Sequence, residues 1–319
     1  MTGTWVADVL GAGFEQQTLE RGSEAGGPAP LVRSPPRVPG LRPLSGVDVL
    51  YVHGRSDDFF QTGAAPPWTG PGGPFFRPTL PCVRATPPPG QTPGYVAALE
   101  DYDGDIAAAL AAMGHPRSGR RLVLMGHSTG GLTLSLWAAR HPGVARAVVL
   151  NSPWLELQTG TIGRQAIAPL IEMRARFDPL GAHPVVDLGF YTRAQRELDT
   201  LPDSPDGWRP ERGFPTHPGW LAAVMRGHAT IAGGVTIDAP VLTMLSTGST
   251  SPVLWSAQMT STDSVLVVDD IARAATRLGP LVTVARIEGA IHDVFLSAPG
   301  PRDAAYAALR RWLLSGAVS

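Results

Sequence analysis

The sequence predicts an α/β domain: a mostly parallel central sheet flanked by helices, with an inserted lid or cap. Three observations lead there. A strand-helix-strand alternation runs through residues 121–150, it resumes over 241–314, and the stretch between, 154–238, lacks it. At 319 residues, 43% hydrophobic and 17% charged, the chain can bury a substantial core, while 37 glycines and 32 prolines foretell many loops.

Residues 22–46 are dominated by Gly, Pro and Arg, which disfavour helices and central strands, so 1–46 reads as an N-terminal arm or β-ribbon. The first strand signal is Val47–Val52, a β-rich apolar run stopped by His53-Gly54. Residues 63–92 are rich in Pro and Gly. A helix is expected over Tyr95–Met113, where Val96, Leu99, Ile106, Leu110 and Met113 recur at loosely helical spacing. Strand Arg121–Met125, helix Gly130–Arg140 and strand Ala145–Leu150 then make one βαβ unit, which implies parallel pairing. The insertion carries Trp154, Trp208, Phe214, Trp220 and Met225 among Pro and Gly, as a cap with apolar faces would. Strand Val241–Leu245, helix Val268–Leu278, strand Val282–Ile287 and helix Asp303–Leu314 complete a core of 47–153 and 239–319.

Charge and cysteine usage exclude several function classes. The 26 basic residues, all Arg, nearly cancel 27 acidic ones, so no field draws in nucleic acid or anionic lipid. Cys82 is alone, which rules out an internal disulfide and argues against structural zinc; it reads as a buried small hydrophobe. Met1–Glu15 lacks the basic start and apolar run of a secretory signal, and no stretch of about 18 apolar residues is present to span a bilayer. The expectation is a soluble cytoplasmic protein with at most transient contact with lipid.

The chemistry-bearing signal is Gly126-His127-Ser128-Thr129-Gly130. G-x-S-x-G recurs by chance in a glycine-rich chain, but here it follows the strand Leu122–Met125 and opens a helix, the setting in which a serine is exposed on a strained strand-to-helix turn. A serine hydroxyl needs a base, and His292 is the only histidine after His228, in the loop that follows strand Val282–Ile287. The base needs a carboxylate to fix its tautomer. Ser246-Thr247-Gly248-Ser249-Thr250 offers none, so Asp263 is the first choice, with Asp269, Asp270 and Glu288 as alternatives. Backbone N–H groups of Arg55 and Thr129 stand where an oxyanion would be held. The Arg55 side chain is expected in solvent, contact with an anionic substrate group being the alternative. Phe59, Phe60, His127 and Trp154 are candidate substrate-binding residues, and no cofactor or metal is called for.

These motifs resemble the α/β-hydrolase superfamily, and within it the monoacylglycerol-lipase and serine-aminopeptidase-like branch. The similarity runs over about 47–315: Leu50-Tyr51-Val52-His53-Gly54 with Ser56-Asp57 and Phe59-Phe60-Gln61, the elbow at Ser128, Ala147–Pro153, Asp263, then Ile287–Asp293. It implies a triad in the order Ser128, Asp263, His292 and a small-molecule ester substrate, with lipid-like or small to medium acyl or aromatic esters first. Aminopeptidase-type cleavage would need carboxylates for a substrate ammonium, Glu197 with Asp199 or Asp203 with Asp206. A binding protein that kept the fold without turnover is the third reading. The chain departs from the branch at Phe75–Thr86, where Pro78 and Pro81 are expected to spoil a central strand.

Overall fold

The computed structural model describes residues 4–8, 10–19, 29–35, 44–55, 66–69, 73–78, 92, 94–181, 187–201 and 213–318. Among these, β1 (Val6–Ala7), β2 (Glu15–Leu19), β3 (Ala29–Ser34), β4 (Val47–Val52), β5 (Phe75–Pro78), β6 (Arg121–His127), β7 (Ala147–Asn151), β8 (Val241–Ser246) and β9 (Val282–Ile287) form one sheet. Its spatial order is β1-β2-β3-β5-β4-β6-β7-β8-β9. From β5 to β9 every pairing is parallel, and β1, β2 and β3 extend the sheet antiparallel from β5.

The helices are α1 (Pro66–Thr69), α2 (Asp103–Ala112), α3 (Thr129–Arg140), α4 (Gly160–Phe177), α5 (Phe190–Glu197), α6 (Pro218–Gly233), α7 (Val268–Ala275) and α8 (Pro299–Trp312). No helix among the described residues is long and apolar enough to cross a membrane. The continuous apolar runs of the central strands follow from burial on both faces. Leu50, Val52, Leu122, Leu124, Val148 and Leu150 pack on one side with α2, α3 and α6. Val47, Val49, Tyr51, Val123, Met125 and Val149 pack on the other against Ala305 and Leu309 of α8. β9 is an edge strand and buries only Ile287 fully, hence its alternating exposure.

Several elements differ from expectation. Residues 75–78 form a strand inside the sheet despite Pro78. The physical reason is position: the ladder to β4 uses only Val49↔Phe75 and Leu50↔Phe76, so Pro78 ends the strand beyond it, opposite Leu31 of β3. Pro81 and Cys82 lie outside the described residues. Regular α-helix begins at Asp103 after a 3₁₀ turn at Leu99–Tyr102, rather than at Tyr95. The last helix starts four residues before Asp303, with Pro299 in its first turn, where a missing N–H costs nothing.

The stretch 154–238 holds α4, α5 and α6. Trp220, Val224 and Ile231 of α6 belong to the main core and pack towards α3, so this helix is a layer of the sheet domain although it lies within the inserted stretch. Two buried polar contacts anchor the stretch where it leaves β7. Glu156 accepts from Arg164 (2.7 Å) and Thr161 (2.6 Å) on α4, with both partners of the ion pair almost fully buried. Burial alone would push Glu156 up, but the bonds from Arg164, Thr161 and the Leu157 amide outweigh it and hold its carboxyl below the usual range. His228 of α6 donates from Nε2 to the Trp154 carbonyl (2.9 Å), leaving Nδ1 buried without a partner.

A proton on that Nδ1 would be a buried charge with no acceptor, and desolvation lowers the His228 pKa from 6.5 to about 4. The unfolded chain therefore binds the proton first. Stability contributed by neutral His228 is complete above pH 6.5 and is lost as pH falls towards 4, by up to about 3 kcal/mol. Thermal midpoints measured from pH 7 down to pH 4.5 should fall for the wild type and fall less for His228→Gln, whose amide can still donate to Trp154 but does not titrate.

Candidate active site

The parallel strands β4, β6, β7, β8 and β9 all end at one edge of the sheet, and the loops leaving that edge carry the candidate residues. Ser128 follows β6 with φ 50° and ψ −118°, a left-handed backbone that costs a side chain strain and turns its hydroxyl away from both strand and helix. The turn is possible only because its neighbours lack side chains. A Cβ on Gly130 would lie 2.3 Å from the Val52 carbonyl oxygen, and one on Gly126 would lie 2.7 Å from the Gly130 carbonyl oxygen. Gly54, after β4, passes so near that a Cβ there would be 3.1 Å from Ser128 Cβ.

That approach brings the 53–55 loop against the elbow. Thr129 opens α3, so its amide is among the first-turn N–H groups that no intrahelical acceptor satisfies. Gly54, Arg55 and Thr129 line one cleft with Tyr102, Phe214 and Trp220. The Ser128 carbonyl is held by the amides of Gly131, Leu132 and Trp154, which ties the elbow to the start of the inserted stretch.

His292 is 3% exposed and is bonded through Nδ1 to Asp263 Oδ2 at 2.9 Å. A carboxylate only accepts, so Nδ1 carries the hydrogen and Nε2 is left with a lone pair. Asp263 is wholly buried, and its other oxygen accepts from the amides of Val265 (2.7 Å) and Leu266 (2.8 Å). The His292 ring lies 4.9 Å from that of His127, beside the elbow.

The backbone brings Asp263 to the end of β8. After β8 the chain departs through Pro252 and Trp255 and returns to form a parallel bridge, Ser249↔Asp263. Asp263 N donates to Gly248 O and Thr250 N donates to Asp263 O. The carboxylate that Ser246–Thr250 lacks is thus delivered to the same place by an excursion. The alternatives are engaged elsewhere: Asp269 pairs with Arg286 (2.7 Å), Asp270 pairs with Arg273, and Glu288 is exposed.

His127 donates from Nδ1 to Asn151 O (3.1 Å) and packs on His292, so it shapes the bed of the base and not the lined cleft. Trp154 is set against Trp220 and His228, one layer behind the cleft. Phe59, Phe60, Asp203 and Asp206 lie outside the described residues. Arg55 is not a solvent-facing side chain; it reaches Phe214, Pro215 and Thr216.

Two contacts carry no sequence signal. Tyr191 of α5 sets its ring edge-on to His292 at 5.5 Å, and its hydroxyl accepts from Asp293 N (3.3 Å). Buried Asp293 accepts from Asn151 Nδ2 (2.7 Å), and Asn151 Oδ1 accepts from Val294 N (3.2 Å), which fastens the histidine loop to the end of β7. Among the described residues no group of three His, Cys, Asp or Glu side chains is arranged to hold a metal ion.

Residues 88–297 match the family described as serine aminopeptidase, S33. A 60-residue stretch is 37% identical to lysophospholipase L2 of Escherichia coli K12, a match spanning 19% of this chain and 18% of that relative's length. Among solved structures, a monoacylglycerol lipase of Paleococcus ferrophilus superposes with a TM-score of 0.63 at 20% identity, over 84% of this chain and 94% of that one. A soluble variant of the monoglyceride lipase of Saccharomyces cerevisiae gives 0.64 at 16% identity, over 93% and 95%. A lipase in its open form gives 0.66 at 15% identity, over 96% and 100%. At these identities the likeness is one of fold.

Four substitutions test this geometry. Gly130→Ala, which sets a methyl into a backbone carbonyl, should cost about 4 kcal/mol or more and is read as a collapse of the thermal midpoint or of soluble yield. Asp263→Asn should lower kcat about a thousandfold or more with the fold intact by circular dichroism, whereas Asp269→Asn and Asp270→Asn should leave it within a fewfold of wild type.

Proposed function

From the premise that this chain belongs to the serine aminopeptidase S33 family and has the α/β-hydrolase fold, we propose that it cleaves carboxylic esters through an acyl-enzyme on Ser128. The observation that carries the reading is the buried Asp263–His292 hydrogen bond beside an elbow serine of left-handed backbone. Ser128 Oγ attacks the ester carbonyl while His292 Nε2 takes its proton, and the same nitrogen returns that proton to the departing alkoxide. Asp263 keeps the hydrogen on Nδ1 and stabilises the imidazolium. The amides of Arg55 and Thr129 receive the charge that develops on the carbonyl oxygen. Water, deprotonated by His292, then releases the acid.

The part of the inserted stretch that holds α4 and α5 acts as a cap over this site, with Tyr191 reaching the base from α5. Lipid-like or medium-chain esters are favoured by the outer face of α4, where Ile162, Leu170, Met173 and Phe177 are exposed along one helical stripe. Amide cleavage of the aminopeptidase type is less supported: Glu197 is exposed and paired with Arg193, and Asp199 is exposed.

The test is labelling with a fluorophosphonate probe together with turnover of p-nitrophenyl esters from acetate to decanoate. Wild type should label and should prefer chains longer than acetate, and Ser128→Ala should lose both labelling and turnover. A wild-type protein that folds but neither labels nor turns over any ester would be a binding protein on a hydrolase scaffold, and labelling that survives Ser128→Ala would place the nucleophile elsewhere.

A further inference from the structure

Arg55 is anomalous for a residue whose backbone alone the proposed reaction uses. Its guanidinium donates to Thr216 Oγ1 (3.1 Å), Phe214 O (3.1 Å) and Pro215 O, and lies 3.8 Å over the Trp220 ring. All of these partners are neutral. No carboxylate among the described residues forms an ion pair with it, although Asp187 is near enough to favour its charged form. The head group lines the same cleft as Thr129 and Gly54. Loss of water around it pulls its pKa down from the usual arginine range to about 10, with Tyr102 and Asp187 only partly offsetting that, so it stays charged at neutral pH. A cation partly withdrawn from water and hydrogen-bonded only to neutral groups is costly, and such groups gather where a ligand supplies the opposite charge.

We infer that the Arg55 side chain receives an anionic group of the substrate, a carboxylate or a phosphate a few bonds from the scissile ester. The inference rests on the serine-hydrolase reading above and narrows its substrate class to anionic esters. Three geometric features support it. The oxyanion-hole residue and the unmatched cation are one residue, so a substrate whose carbonyl oxygen meets the Arg55 amide has its neighbouring atoms beside the guanidinium. The bonds to 214–216 hold the side chain in one place, which reduces the ordering cost of binding. The flat face is already covered by Trp220, so the edge of the guanidinium is what remains for a planar or tetrahedral oxyanion.

The experiment compares charged and neutral partners of equal shape at low ionic strength. One arm sets 4-nitrophenyl hydrogen adipate against 4-nitrophenyl methyl adipate, which places the charge on the acyl side. The other sets 1-acylglycerol 3-phosphate against 1-acylglycerol, which places a phosphate on the alcohol side. In at least one arm the wild-type kcat/KM should favour the anion by about tenfold or more. Arg55→Gln should bring that ratio towards one, and Arg55→Lys, which keeps the charge, should retain part of it. Wild-type ratios at or below one in both arms overturn the inference, as does a ratio unchanged in Arg55→Gln. Should that variant not fold, the wild-type ratios and Arg55→Lys still decide. Absence of turnover in both arms without fluorophosphonate labelling counts against the hydrolase reading itself, whereas labelling with a preference for the neutral partners counts against this inference alone.

Discussion

The arrangement depends on one backbone constraint, the reversal at Ser128 between β6 and α3. A residue at φ 50° is strained there unless its surroundings over-determine it, and the surroundings do so by contact: α3 is pressed onto β4 and β6 so closely that Gly126 and Gly130 have no room for a Cβ, and one on Gly54 would crowd His127 and Ser128. The same contact that makes glycine obligatory brings the loop after β4 against the first turn of α3. In the proposed reaction, the distance between nucleophile and oxyanion donors is therefore set by packing of the central sheet.

Around that elbow the remaining groups arrive from elements distant in sequence, each fixed by buried hydrogen bonds. The bridge Ser249↔Asp263 returns an excursion to the end of β8, and two amides as well as His292 then hold the carboxylate. Asn151 and Asp293 fasten the histidine loop to β7. The inserted stretch joins the same framework: the Trp154 amide bonds to Ser128 O, its carbonyl takes the His228 hydrogen, and Glu156 holds Arg164. Displacing residues 154–164 would consequently disturb the elbow.

How much of this was legible in the sequence follows from which signals are local. β4, β6, β7 and β8 stand out because strands buried on both faces must be continuously apolar, and the elbow stands out because its glycines are a local steric necessity. Pairing that depends on distant partners was not readable. The short β5 exists because β3 and β4 flank it, although its own residues end in Pro78. α6 lies in a stretch without strand-helix alternation, and only its packing towards α3 makes it a core helix. Asp263 was the first choice over Asp269 and Asp270 from its place after β8, but the bridge to Ser249 that carries it there had no local signal. The Arg55 side chain read as solvated because nothing within a few residues announces that Phe214, Pro215, Thr216 and Trp220 will surround it.

The central claim is that Ser128 stands between the His292 base and two oxyanion-holding amides. A crystal structure of the protein after reaction with an alkyl fluorophosphonate tests it most directly. The account predicts phosphorus bonded to Ser128 Oγ, one phosphonyl oxygen about 2.7–3.1 Å from both the Arg55 and Thr129 nitrogens, and His292 Nε2 within hydrogen-bond reach of the adduct. Phosphorus on another residue, or a phosphonyl oxygen turned away from both amides, would contradict it.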